Sequence, residues 1–127
     1  MSKILGIDYG EVRIGIAISD ETHTFARELS IFSPKDFWKE IQNLVHSEEV
    51  TKVIVGWPLN MEGFETQKTH EVGEFKTKLE DLLNIEVEVM DERLSSQMAQ
   101  HLPGGKKNID SLAAQILLQN YLDKNKN

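Results

Sequence analysis

The sequence predicts an α/β fold: a mixed five-stranded sheet, three antiparallel strands then parallel ones, covered by helices on both faces. Two observations carry that prediction. The chain opens with two apolar runs, residues 4–7 and 12–18, joined through Asp8-Tyr9-Gly10 as in a tight antiparallel pair. From Ser33 onward, helical apolar stripes alternate with short strand-like runs, the pattern of parallel strands joined by helical crossovers.

Taken in order, Ile4, Leu5 and Ile7 form a strand buried on both faces and ending in Asp8. Gly10 permits the reversal. The second arm alternates, with Val12, Ile14, Ile16 and Ile18 on one face and Arg13, Gly15, Ala17 and Ser19 on the other. Small Gly15 and Ala17 leave room beside Asp8, where a metal or phosphate could be held. A third strand covers 24–32, with Phe25, Leu29, Ile31 and Phe32 as its apolar content. Ser33-Pro34-Lys35-Asp36 starts a helix, Ser33 as N-cap and Pro34 at its first position, which buries Phe37, Ile41, Leu44 and Val45. Residues 53–55 are a β-branched strand ended by Gly56, and a loop then leads to a second helix with Val72, Phe75, Leu79, Leu82 and Leu83 inward. Residues 85–89 alternate with glutamates outward, which suits a sheet edge. A short helix over Met98, Ala99 and Leu102, a turn over 103–107, and a last helix complete the chain. That last helix carries Ile109, Leu112, Ala113, Ile116, Leu117 and Tyr121 on one face, and 123–127 form a frayed tail.

Composition narrows the function classes. With 39% hydrophobic and 28% charged residues, the 127 residues read as a single domain over 1–127. No apolar run approaches the roughly 20 residues of a membrane span, and no signal peptide precedes the first strand. The absence of cysteine excludes thiolate chemistry and suits a cytoplasmic protein, expected as a monomer or weak homodimer. A net charge of −7 repels nucleic acid at long range, but screening beyond about 8 Å lets a local basic rim dominate. His23, His46, His70 and His101 show no metal-ligand spacing and read as surface residues, and Trp38 and Met98 read as packing.

Ligands in such sheets gather at the carboxyl ends of the strands. Asp8, Gly56 and Asp91 end the first, fourth and fifth strands, so these ends share one rim. Strand alternation groups Asp91 with Val87 and Val89, toward the covered face, and Glu92 with the outward Glu86 and Glu88.

At these positions the chain resembles the YqgF family of Holliday-junction-resolvase-like nucleases. Leu5-Gly6-Ile7-Asp8-Tyr9-Gly10, with Arg13-Ile14-Gly15-Ile16-Ala17, is similar to its opening motif. Val55-Gly56-Trp57-Pro58-Leu59-Asn60-Met61-Glu62-Gly63 is similar to its second and Asp91-Glu92-Arg93-Leu94-Ser95-Ser96 to its third. The stretch from Ile109-Asp110-Ser111 to Gln119 is similar to its last. The resemblance implies an RNase H-like fold and a nuclease maturing the 5′ end of pre-16S ribosomal RNA, with branched DNA as the alternative substrate. Two departures stand out: Trp57 replaces a smaller aliphatic residue, and the segment before Asp110 is short, keeping only Lys106 and Lys107 of a more basic loop.

Phosphodiester hydrolysis needs a positioned water and neutralised oxygens, which a pair of Mg²⁺ ions, or Mn²⁺ in their place, supplies. Hard cations prefer carboxylates. The expected catalytic acids are Asp8, Asp91 or Glu92, and Asp110, with Asp8, Asp91 and Asp110 as the metal ligands. Their plainer roles are an Asx turn at Asp8, a helix-start charge at Asp110 and a solvated turn at Asp91 and Glu92. Arg13 and Arg93 are expected on phosphates, or else in surface ion pairs. Asn60, Thr66 and Gln67 sit near a helix start that favours anions, and Lys106 and Lys107 form a basic clamp. Two other classes remain: an actin-like ATPase, for which 127 residues leave no second domain, and a non-catalytic binding module of the same fold.

Overall fold

The computed structural model describes residues 2–92 and 109–125, and of 109–111 the backbone alone. The chain runs β1 (Lys3–Asp8), β2 (Ile14–Ser19), β3 (Ala26–Phe32), α1 (Pro34–Ser47), β4 (Val50–Trp57), α2 (Gln67–Leu83), β5 (Glu86–Asp91) and α3 (Ile109–Lys124). The strands form one five-stranded sheet in the order β3-β2-β1-β4-β5. β1 pairs antiparallel with β2 and parallel with β4, so the first strand is also the central one. The expected mixed sheet is present, with β5 at its edge.

Alternation along the strands builds two cores. Leu5, Ile7, Ile14, Ile16, Ile18, Val53, Val55 and Val87 pack under Phe37 and Ile41 of α1 and Val72, Phe75 and Leu79 of α2. Ile4, Ala17, Ala26 and Ile54, on the opposite face, pack under Ala114, Leu118, Tyr121 and Leu122 of α3. Ser33 caps α1 as expected, its Oγ accepting from the Asp36 N–H at 3.2 Å.

α3 departs from its predicted face. The stripe against the sheet is Ala114, Leu118, Tyr121 and Leu122, while Ala113 and Ile116 form a separate small cluster with Leu112. Apolar residues surround most of this helix, so sequence spacing alone does not select which of them meets the sheet. Gly6 decides it. A Cβ there would stand 2.7 Å from Leu118 Cβ and 3.1 Å from the Ala114 carbonyl, so the helix lies directly on β1. The room expected beside Gly15 and Ala17 is therefore taken partly by a helix: Ala17 is fully buried beneath α3. Gln115 and Gln119 fasten α3 to the other edge, donating to the Ala26 and Thr24 carbonyls, while Gln119 accepts from the Ala26 N–H at 2.8 Å.

Other differences are local. Phe25 precedes β3 and is exposed, as is Val12 before β2. β4 continues one residue beyond Gly56, to Trp57, and α3 runs into the expected tail. His23 is half-buried, its Nε2 3.0 Å from the Ser2 carbonyl oxygen. The helix over Met98 to Leu102 and the turn over 103–107 lie outside the described residues, as does His101. Among the described residues no helix is long and apolar enough to cross a membrane.

Candidate active site

Asp8 ends the central strand, half-buried and opposite Gly15 of β2. On its other side the β1–β4 register, Gly6 with Ile54 and Ile7 with Val55, carries forward to bring Asp8 beside Gly56. Residues level across a sheet point to the same face, and Asp8 shares alternation with Ile4 and Gly6, so it lies on the α3 face. Glycine on both flanks means that neither neighbouring strand sets a side chain beside Asp8 on this rung.

Glu92 fills part of that bare rung. Its backbone N–H donates to the Trp57 carbonyl at 3.3 Å, which holds the chain beside β4 one residue past β5. Its half-buried side chain lies over Gly56: a Cβ at residue 56 would run into Glu92 Oε2 and stand 3.2 Å from its Cδ. The carboxylate thus sits above the strand neighbouring Asp8, within about one strand spacing of 4.8 Å. Asp91 lies level with Trp57, is exposed, and shares alternation with Val87 and Val89, which face α1 and α2. The expected alternation holds for both acids. What differs is the meaning of the faces, because Asp8 lies on the α3 side together with Glu92.

α3 brings its start to the same place. Tyr121 and Leu122 line a cavity with Ile4 and Lys52 at the opposite ends of the strands, and Ala114 and Leu118 lie on Gly6. The helix therefore runs antiparallel to β1, and Asp110 stands about one turn before Ala114, toward Asp8. The Asp110 side chain lies outside the described residues, as do Arg93, Lys106 and Lys107. Among the described residues no three of His, Cys, Asp and Glu form a group able to hold a metal ion.

The remaining predicted residues lie on the rim. Arg13 is exposed in a groove that the β1–β2 turn forms with Gln67, Lys68 and Glu71 of α2. Gly10 makes that turn possible, since a Cβ there would meet the Arg13 carbonyl at 2.6 Å. Asn60 organises the loop after β4: its Oδ1 accepts from the N–H groups of Glu62 at 3.0 Å and Phe64 at 2.9 Å. Thr66 precedes α2, its N–H bonded to Thr69 Oγ1, which itself donates to the Pro58 carbonyl. The Trp57 ring packs against Gly73 of α2, where even an added Cβ would stand 3.6 Å from it.

Two features were not anticipated. Gly56 reads from sequence as a strand terminus, yet it is the seat of the Glu92 side chain. The signal available was a lone glycine closing a β-branched strand, which often marks a close approach. The α2 side of the rim is also acidic. Burial first, then Glu11 and Glu74, raises the Glu71 carboxyl above its ordinary value. The Tyr9 hydroxyl is raised likewise, by burial, then Glu71, Glu11 and Glu74.

Comparison with known proteins fits this layout. The sequence model of the RuvX family, described as Holliday junction resolvase, matches residues 2–124. The chain is 39% identical over 137 aligned positions to a protein of Caldanaerobacter subterraneus subsp. tengcongensis, covering 98% of this chain and 99% of that one. It is 34% identical over 134 positions to one of Ruminiclostridium cellulolyticum, covering 96% and 94%. Both are named "Putative pre-16S rRNA nuclease". Among solved structures, Thermus thermophilus RuvC superposes with a TM-score of 0.58 at 13% identity, over 96% of this chain and 95% of that one. T. thermophilus RuvC in complex with a Holliday junction substrate gives 0.57 at 14%, over 98% and 95%. These likenesses show the fold, the RNase H-like one that the sequence motifs implied. With nearly its whole length matched by the family model and by relatives above 30% identity, the chain belongs to the RuvX, or Holliday junction resolvase, family.

Proposed function

We propose that the chain is a metal-dependent nuclease that hydrolyses phosphodiester bonds in precursor ribosomal RNA, at the 5′ end of pre-16S rRNA in the cytoplasm. The names of the full-length relatives support the substrate. The observation that carries the chemistry is the placement of Asp8 and the Glu92 carboxylate on one face, at the ends of β1 and β5 with Gly56 of β4 between them.

This donor set fits a hard divalent cation, because both groups offer only carboxylate oxygens and a Cβ at residue 56 would run into that of Glu92. Asp8, Glu92 and Asp110 would hold Mg²⁺ or Mn²⁺, with Asp91 outside the set because it faces α2. When bound, such an ion neutralises charge on the reacting phosphate and activates water. Arg13, Arg93, Lys106 and Lys107 neutralise the flanking phosphates. Asn60 shapes the loop after β4 that borders the nucleic-acid backbone, its Oδ1 holding the Glu62 and Phe64 N–H groups. The family description favours a four-way DNA junction as a second substrate.

A cleavage assay on structured RNA and on four-way DNA, with Mg²⁺ and Mn²⁺, tests this reading. Asp8→Asn and Glu92→Gln should each lose about a hundredfold or more in rate while remaining folded, the loss expected when several kcal/mol of charge stabilisation disappears. Asp91→Asn should stay within a few-fold of wild type. A folded Asp8→Asn protein cutting at the wild-type rate overturns the proposal.

A further inference from the structure

We infer that Gly56 is a positioning residue for the acid site: its missing side chain lets Glu92 reach across from the end of β5 and set its carboxylate beside Asp8. The inference rests on the metal-dependent reading above. Glu92 follows an edge strand, and Asp8 ends the central one, with β4 between them. A side chain at residue 56 on the α3 face would stand between the two acids. The bare rung lets the Glu92 carboxylate lie over β4, the strand next to Asp8.

The contact is close along the length of the Glu92 side chain. A Cβ on residue 56 would stand 3.3 Å from Glu92 Cβ and 3.2 Å from its Cδ, and would overlap Oε2. Gly56 is buried and paired on β5 with Met90, so the strand has little freedom to move away. Glu92 is itself held by its N–H bond to the Trp57 carbonyl. An added methyl group must therefore displace the carboxylate rather than the backbone.

The same geometry indicates how the acid could be restored. Glu92 Oε2 lies about as far from the Cβ position of residue 56 as an aspartate oxygen lies from its own Cβ. An aspartate at residue 56 would thus carry its carboxylate into the space that Glu92 now fills.

Four proteins test this in thermal melts with and without Mn²⁺: wild type, Gly56→Ala, Glu92→Ala, and Gly56→Asp combined with Glu92→Ala. A fifth, Gly56→Ala with Glu92→Ala, completes the cycle. Gly56→Ala should raise the Mn²⁺ concentration giving half-maximal stabilisation by about 10- to 100-fold, the range for losing a residue that orients a ligand. Gly56→Asp with Glu92→Ala should recover much of the Mn²⁺ response that Glu92→Ala loses. Without metal, Gly56→Ala should lower the melting temperature of the protein containing Glu92 and leave that of the Glu92→Ala protein nearly unchanged. A wild-type Mn²⁺ response in Gly56→Ala overturns the inference, as does an equal loss of melting temperature in both backgrounds. A wild-type protein that does not respond to Mn²⁺ overturns instead the metal-dependent reading beneath it.

Discussion

Asp20 shows what one surface carboxylate contributes through geometry alone. Its Oδ1 accepts from the N–H groups of Thr24 at 2.8 Å and Phe25 at 3.0 Å, and its Oδ2 accepts from the Thr22 hydroxyl. The Thr22 hydroxyl first, then the two N–H groups, lower its pKa from 3.8 to about 2. A carboxyl lowered by folding stabilises the native state above its unfolded pKa, and that stability disappears as pH falls through the folded value. Asp20→Ala should therefore melt below wild type at neutral pH, and the gap should close between about pH 4 and pH 2; melts across that range check it. The acids of the site were unequally legible. The place of Asp8 at a strand end could be read because an apolar run stops there, between glycines. The choice between Asp91 and Glu92 could not, because alternation assigns each to a face without telling which face α3 brings to Asp8. Gly56, the seat of Glu92, could be recognised only once β5 lay beside β4.

At the scale of elements, Trp57 and Gly73 form a matched pair. A glycine inside a helix costs about 1 kcal/mol relative to alanine. A Cβ at residue 73 would stand 3.6 Å from the Trp57 ring, an ordinary contact distance. Gly73→Ala should therefore raise stability by up to about 1 kcal/mol, read by urea denaturation with unchanged slope. The apolar stripes of the amphipathic helices α1 and α2 were legible in the spacing, and Ser33 and Pro34 marked the start of α1. α3 was legible as a helix but not in its orientation. Its fit depends on Gly6, more than a hundred residues away along the chain.

Across the whole molecule, a net charge of −7 and the acids around Tyr9 make binding of a polyanion depend on a few basic side chains. Affinity for structured RNA should fall steeply with salt, and Lys106→Ala with Lys107→Ala should flatten the logarithmic slope by about 1.5. Filter binding across a salt series measures it, and an unchanged slope would remove these lysines from the contact. The central position of β1 has a consequence for how the chain folds as it is made. β1, β2 and β3 pair through short connections and can zip together early. The other side of β1 must wait for β4, since Lys3 pairs with Val50 only after α1 has been synthesised. Until then the middle strand of the finished sheet has an open edge, available to any passing strand. The order of synthesis thus makes the nascent meander the stage at which this protein most needs protection from aggregation.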